Sequence, residues 1–236
     1  APTPLPMPSL RLLLPAVIAL AVALPGQATE LVPGVRKVSD SVIYQENRFY
    51  ATFPSVVKRP DGELLVAFRR APSRVALGEK GESHVDPNSY LVQVRSRDGG
   101  ATWTKEPELI YAHAFGGSQD PCLLQLRDGT LLCSSYGWAF LQPEAAAALT
   151  PRVFPIRPGV VFLGGYLVLS ADGGRTWQGP IYPPHIAPEI NHDIHGRPLP
   201  AYNRGAMYEG ASGRLFWVVA ATDSALAETG QGLREA

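Results

Sequence analysis

The sequence has no net charge, because 21 lysines and arginines are balanced by 21 aspartates and glutamates. Nucleic-acid and polyanion binders carry a basic surface, so no nucleic-acid partner is expected, and any charged ligand must be held by local groups. Long helices are also not expected. The chain contains 23 glycines and 23 prolines, which form turns and interrupt helices.

Cysteine is scarce, with only Cys122 and Cys133 in 236 residues. They flank an Asp-Gly turn at 128–129 that predicts a hairpin. If this turn is a two-residue loop, Cys122 lies opposite Ser135 and Cys133 opposite Leu124, so the two cysteines are diagonal neighbours. Diagonal neighbours fit a disulfide poorly, and both a disulfide and two buried thiols stay open for an exported protein.

An apolar stretch near the start, Leu12–Leu24, is too short for a comfortable membrane span. It follows the single basic residue Arg11 within Met7–Ala28 and is followed by small residues near a plausible cleavage point. This layout is typical of a secretory signal peptide, with an uncleaved anchor as the alternative. We therefore expect residues 1–28 to be upstream residues and a signal peptide, and 29–236 to be exported (secreted or periplasmic) without a stable membrane span.

Short runs rich in β-branched and aromatic residues recur between turn signals in the rest of the chain. Such regular short strands predict an all-β sandwich, barrel or propeller. The predicted strands are Phe53–Val57, Glu63–Phe68, Tyr90–Ser96, Cys122–Leu126, Thr130–Tyr136, Val160–Ser170 and Arg214–Ala221.

One motif, Ser-x-Asp-Gly-Gly-x-Thr-Trp, occurs twice, each time after an apolar strand. Its Asp is suited to accept hydrogen bonds from the turn backbone, its glycines to adopt positive φ, and its Trp to cover the turn. We interpret both copies as structural rather than catalytic. The residues concerned are Ser96, Asp98, Gly100 and Trp103, and Ser170, Asp172, Gly174 and Trp177.

This repeat resembles the Asp box, or BNR repeat, of the sialidase (neuraminidase) superfamily. The resemblance implies an all-β, sialidase-type β-propeller of about six blades when complete, of which only part is present here. It places the Asp boxes away from the active site. The two copies are farther apart than one blade of roughly 40–50 residues, so either one blade carries an insertion or one lacks a box.

Three turns of one kind, at 61–62, 128–129 and 212–213, each precede an apolar run. Each resembles the hairpin between the first two strands of a blade. The three blade starts that they indicate lie near Phe53, Asp120 and Arg204.

Resemblance to sialidases also implies an arginine triad for the sugar carboxylate, an Asp acid/base and a Tyr nucleophile assisted by a Glu. In the run 49–54, Thr52 stands where the first arginine belongs, which is a departure from the family. Arg69 and Arg70 match the place of a further arginine, with exposed strand-end arginines as the alternative. The remaining arginines and the Tyr are expected beyond Ala236.

The segment Ser83–Tyr90 resembles the sialidase acid/base loop, which assigns that role to Asp86. A sheltered carboxylate beside His84 is suited to a pKa raised toward the working pH. An Asp-Pro turn without chemistry is the alternative.

Asp120 and Arg204 open the second and third predicted blades and are predicted to lie near the pocket. Asp120 is suited to accept a hydrogen bond from a sugar hydroxyl or to hold Arg70, and a turn-capping role is the alternative. Arg204 and Glu209 would point to opposite faces of one strand, so Glu209 is assigned to the solvent face.

The segment 185–195 contains three of the five histidines. Pro188 argues against a helix, and the spacing matches no metal signature, so we interpret it as a polar loop bordering the pocket and expect no metal and no cofactor.

The leading hypothesis is a secreted glycoside hydrolase of the exo-α-sialidase type, which removes terminal sialic acid or a related acidic sugar. Asp86 is its acid/base, and Arg69, Arg70, Asp120 and Arg204 bind the substrate. The alternatives are a hydrolase or lyase for a different sugar, which Thr52 favours, and a non-catalytic glycan-binding propeller. In each case the expected partner is a glycan or glycoconjugate.

Overall fold

The computed structural model describes residues 34–148, 155–157, 159–187, 189–193, 195–201, 205, 207–222 and 233–235. The chain divides into two units, 1–41 and 42–236. In the first unit the described residues 34–41 are exposed, and Lys37 forms an ion pair with Asp40. The predicted signal peptide lies outside the described residues.

The first sheet is a four-stranded antiparallel meander, here called the first blade, in the order β1-β2-β3-β4. Its three longer strands confirm the prediction, although β1 begins earlier than expected, and the short β4 was not predicted. The strands are β1 (Phe49–Lys58), β2 (Leu64–Pro72), β3 (Tyr90–Ser96) and β4 (Glu108–Tyr111).

The second sheet has the order β10-β9-β7-β5, with β6 paired to β7 and β8 paired to β9. Strands β6, β7, β9 and β10 form the second blade. Its elements are β5 (Gly117–Ser118), β6 (Cys122–Gln125), β7 (Leu131–Phe140), α1 (Pro143–Ala147), β8 (Pro155–Arg157), β9 (Val160–Ser170) and β10 (Gln178–Ile181). The segment with α1 and β8 is an insertion between β7 and β9, which accounts for the wide spacing of the two Asp boxes.

Two further hairpins follow, β11 (Met207–Glu209) with β12 (Leu215–Trp217), and β13 (Ala220–Thr222) with β14 (Leu233–Glu235). The predicted hairpin after the third blade start is confirmed by the first of these. The prediction of one strand over 214–221 is wrong, because β12 and β13 are separate strands that pair with different partners.

The described residues contain a single short helix, α1, and are otherwise β-strands and loops. Each of the two blades has its Asp box between its last two strands, as in a sialidase-type β-propeller, so the predicted all-β fold is confirmed. No helix within the described part of the chain is both long enough and apolar enough to cross a membrane.

Three hairpins share one turn, a three-residue loop that ends in glycine, at 60–62, 127–129 and 211–213. In the second of them, Leu126 N donates to Thr130 O over 2.8 Å, and Gly129 adopts a φ of 92°. This combination is the usual three-residue hairpin with its glycine in the left-handed region.

The extra loop residue corrects the predicted register of the cysteine hairpin. Cys122 lies opposite Ser134, not Ser135, and Cys133 lies opposite Leu123, not Leu124. In this register the two cysteine side chains point to opposite faces of the sheet, and both are free thiols.

The largest core cluster lies between the two blades, because the faces of β2 and β7 are apolar. It contains Leu65, Ala67, Leu91, Ile110, Leu123, Leu131, Cys133, Tyr166 and Val168. The other face of β2 packs into a second cluster with Val66 and Phe68. Since side chains alternate along a strand, Arg69 continues the inter-blade face and Arg70 continues the opposite face.

Candidate functional site

The blades have two chemically distinct ends, because consecutive antiparallel strands reverse direction. The Asp boxes and the three glycine turns lie at one end. The loop between β2 and β3 (73–89) and the connection between β4 and β6 (112–121) lie at the other end. The loops predicted to contain Asp86 and Asp120 are therefore gathered opposite the Asp boxes.

Hydrogen bonds within the turns occupy both Asp boxes. Asp98 accepts from Ser96 Oγ at 2.8 Å and from Thr102 N at 2.9 Å, and Asp172 accepts from Thr176 N at 2.9 Å. The hydrogen bonds from Thr102 lower the pKa of Asp98 to about 2. These carboxylates stabilise turns, as the sequence predicts.

The remaining Asp-box residues complete the same turns. Gly100 N and Gly174 N each donate to the Ser Oγ of their box over 2.8 Å, and both glycines have positive φ. Trp103 packs on the Val66–Phe68 cluster, and Trp177 packs on the inter-blade core.

Arg69 is completely buried at the loop end of the inter-blade face. Its Nη1 donates to His84 O and, over 3.0 Å, to Gln119 Oε1, while its Nη2 donates to Ser83 O over 3.1 Å. Burial lowers the pKa of Arg69, and the charge of Asp120 opposes that effect. Arg69 thus ties the loop that contains Asp86 to the connection that contains Asp120.

Arg70 points to the other face of β2. Its Nη2 lies 2.6 Å from Glu46 Oε2, Tyr90 OH accepts from its Nη1, and its guanidinium lies 3.4 Å from the ring centroid of Phe49. Only Arg69 of this pair faces the other predicted site residues.

Phe53 is a residue that the sequence did not point to. It adopts a φ of 56° beside a register shift between Thr52 and Ser55, a conformation that bulky residues rarely adopt. Its ring packs edge-on against the exposed His84, with centroids 5.2 Å apart, and lies 5.3 Å from the Arg69 guanidinium. The irregularity in β1 thus places an aromatic wall beside the site, and Thr52 pairs directly with Arg69.

Asp86 is 1 % exposed and its two carboxylate oxygens are both engaged. Asn88 N donates to Oδ1 over 2.8 Å, and Arg74 Nε donates to Oδ2 over 2.6 Å. The hydrogen bond to Asp86 raises the pKa of Arg74. Arg74 was not identified from the sequence, and its guanidinium occupies the carboxylate for which the sequence predicts an acid/base role.

Asp120 is also buried and accepts a hydrogen bond from Tyr136 OH at 3.1 Å. The connection is fixed to β7, since Gln119 N donates to Tyr136 O over 2.8 Å and Ser135 Oγ donates to Gln119 O over 3.1 Å. Gln119 and Tyr136 are additional site residues, for which the sequence offered no motif.

Two glycines allow the connection between β4 and β6 to pack closely against the Asp86 loop and against β7. A Cβ on Gly117 would lie 1.8 Å from Asp86 O, and a Cβ on Gly116 would lie 2.1 Å from Trp138 O. Beside them, Ser118 N donates to Ser89 O over 2.9 Å. The loop and the connection are therefore one packed unit.

Arg204 lies outside the described residues, so its predicted role is not located. Glu209 is half-buried and contacts the neighbouring hairpin, where Arg127 N donates to its Oε2 over 2.8 Å. The prediction of a solvent-face residue is wrong for Glu209, because the turn of the second blade packs against it.

The histidine-rich segment is a polar loop at the border of a cleft. His185 Nδ1 contacts Leu199 O at 3.2 Å, and His195 lines the cleft. Among the described residues, no group of three or more His, Cys, Asp or Glu side chains is arranged to hold a metal ion.

Comparison with known proteins includes a strong similarity to one solved structure. No protein-family model matches the chain, and no curated protein matches it. The chain is 62% identical to a protein of unknown function from Dyadobacter fermentans DSM 18053, with a TM-score of 0.79. The match covers 86% of this chain and 55% of that protein. The chain thus spans about half the length of that protein.

Weaker similarities include two carbohydrate-active proteins. The NanB sialidase from Streptococcus pneumoniae is 12% identical, with a TM-score of 0.44 and coverage of 91% of this chain and 48% of that one. A family 117 glycoside hydrolase from Zobellia galactanivorans is 11% identical, with a TM-score of 0.42 and coverage of 80% and 56%. At these values neither comparison assigns an activity.

Proposed function

We propose that this chain is part of an exported, glycan-processing propeller enzyme, a glycoside hydrolase or lyase that acts at the loop end of its blades. The observation that supports this most is the union of the Asp86 loop and the Asp120 connection around buried Arg69. Buried carboxylates fixed beside an exposed His84 suit proton transfer to and from a sugar.

Each site residue has a distinct role in the proposed reaction. Asp86 acts as the acid/base once a substrate has displaced Arg74, and Asp120 accepts a hydrogen bond from a sugar hydroxyl while Tyr136 orients it. Arg69 is a positioning residue, because its guanidinium bonds to the loops themselves. In the exo-α-sialidase form of the proposal, Arg204 binds the sugar carboxylate.

A second candidate is a hydrolase or lyase for an uncharged sugar, and one observation favours it. Of the positions matched to the sialidase arginines, Thr52 has no guanidinium, Arg70 faces away paired with Glu46, and Arg69 is fully buried. A carboxylate receptor made of two or three guanidinium forks is therefore not assembled from these positions.

The test is hydrolysis of a fluorogenic α-sialoside by the full-length protein, compared with an Asp86→Asn variant. Loss of an acid/base group reduces the rate by about 10²–10⁴-fold. The matched control is Asp128→Asn, an exposed turn residue at the opposite end, which should leave the rate unchanged.

Turnover by the wild type and the control, with loss in Asp86→Asn at unchanged thermal stability, supports the sialidase form. If the α-sialoside is not cleaved, that form is wrong, and a panel of neutral aryl glycosides tests the second candidate. Binding of glycans without cleavage of any of these substrates would identify a non-catalytic propeller.

A further inference from the structure

A second cleft lies at the loop end of the blades and has a volume of about 250 Å³. Its apolar surface comes from Leu163 on β9 and from Pro198 and Pro200, and its aromatic walls are Phe115 and Tyr182. None of these residues belongs to the Asp86–Asp120 site.

The two aromatic walls are exposed but held in place by one histidine. Phe115 is 68% exposed and Tyr182 is 48% exposed. Phe115 N donates to His113 Nδ1 over 3.1 Å, and Tyr182 OH lies 3.4 Å from His113 Nε2. Burial lowers the pKa of His113, so its ring is neutral near pH 7 and can accept at Nδ1 while Nε2 carries the hydrogen.

The polar rim of the cleft carries balanced charge. Asp193 accepts from His195 N at 2.8 Å, from Arg197 N at 3.0 Å and from Arg197 Nε at 2.8 Å. Its carboxylate is therefore neutralised within its own turn, whereas the Arg197 side chain is 73% exposed and keeps donors toward the cleft. A rim of this kind offers hydrogen bonds without selecting an anion.

We propose that this cleft is a binding subsite for one neutral sugar residue of a glycan, stacked between Phe115 and Tyr182. Aromatic rings that project from a surface suit a ligand with apolar faces and polar edges, as a sugar ring has. The volume is below the roughly 300–1,000 Å³ of sites for drug-sized molecules, which suits a single ring.

The subsite lies close to the proposed active site along the chain. Phe115 and Asp120 belong to the same connection, and five residues of extended chain span at most about 18 Å. An oligosaccharide is therefore the ligand that would use both. In this respect the inference rests on the proposed function, whereas sugar binding in the cleft is measurable by itself.

The experiment is isothermal titration of the full-length protein with lactose, N-acetyllactosamine and cellobiose at millimolar concentrations. The variants are Tyr182→Ala and Phe115→Ala, and the matched control is Tyr208→Ala, an exposed tyrosine on β11. We expect at least one disaccharide to bind, with affinity reduced about tenfold in each cleft variant, equivalent to about 1.4 kcal/mol, and unchanged in the control.

Absence of binding by all three disaccharides, or equal affinity in the wild type and the cleft variants, overturns the inference. Parallel turnover measurements separate the two proposals. Binding that depends on Tyr182 in a protein that cleaves no glycoside leaves the subsite standing and refutes the enzyme. Cleavage that depends on Asp86, in a protein that binds none of the disaccharides, supports the enzyme and refutes the subsite.

Discussion

Arg95 on β3 joins the first blade to the Asp box of the second, and its removal should destabilise the protein strongly. The side chain is 8% exposed. Its Nη1 donates to Gly173 O over 2.9 Å, its Nη2 to Gly174 O over 2.7 Å and its Nε to Glu108 Oε2 over 2.6 Å. A further contact, of 3.3 Å, reaches the buried Glu63.

The expected magnitude follows from what Arg95→Met would leave behind. Two inter-blade carbonyls lose a charged donor, and Glu63 keeps only Arg59 and Arg97. Burial acts to raise the pKa of Glu63, but these hydrogen bonds and the charge of Arg95 outweigh it and hold the pKa below its usual value. Removing one partner of a buried ion pair costs about 3–5 kcal/mol, which is the loss that we expect.

Arg97→Met provides a matched control, because Arg97 contacts the same carboxylate from outside. Its side chain is 75% exposed, and its Nε lies 3.1 Å from Glu63 Oε1. Exposed pairs contribute about 0–1 kcal/mol. Urea unfolding of the full-length protein, with midpoint and slope compared, measures both variants. Equal losses in Arg95→Met and Arg97→Met would refute the role assigned to Arg95.

Two further outcomes follow from the turns and the loop contacts. Gly117→Ala should destabilise by about 1–3 kcal/mol and reduce turnover, because its Cβ would lie 1.8 Å from Asp86 O, whereas a Cβ on Gly137 would meet nothing closer than the end of Leu163 at 3.3 Å. Equal melting temperatures for both variants would contradict this. The pKa of Asp98 is depressed from 3.8 to about 2, so its stabilising effect is present above pH 4 and is lost as the pH falls toward 2. Asp98→Asn should therefore show a smaller fall in melting temperature between pH 4 and pH 2 than the wild type, and identical profiles would count against it.

Features set by local chemistry were predictable from the sequence. The Asp boxes could be recognised in this way, because Ser96, Asp98 and the following glycines form their hydrogen bonds within one turn. The hairpins were predictable in place but not in register, since an Asp-Gly pair fits both two- and three-residue loops, and the choice sets which residue faces Cys122.

Features that depend on contact between blades were not predictable. Gln119 and Tyr136 became site residues only because the connection folds back on β7, and no local pattern marks such a contact. The wide spacing of the two Asp boxes indicated either an insertion or a missing box, but it did not show where in the blade an insertion would lie.

The choice between Arg69 and Arg70 shows the same limit. Side chains alternate along β2, but both of its faces are buried, with Leu65 and Ala67 on one side and Val66 and Phe68 on the other. A strand that is apolar on both faces has no polar alternation to reveal which arginine points inward.

The position of the neighbouring blade determines which arginine faces the site. Its connection with Gln119 and Asp120 packs against Arg69, whereas Arg70 forms an ion pair with Glu46. The bulge at Phe53 then fills the space beside Arg69 with an aromatic ring. Because Arg69 is thereby used to hold loops, the number of arginines matched by position overstates the number available to a substrate carboxylate. The proposed binding of an acidic sugar would therefore depend on guanidinium groups other than those of Arg69 and Arg70.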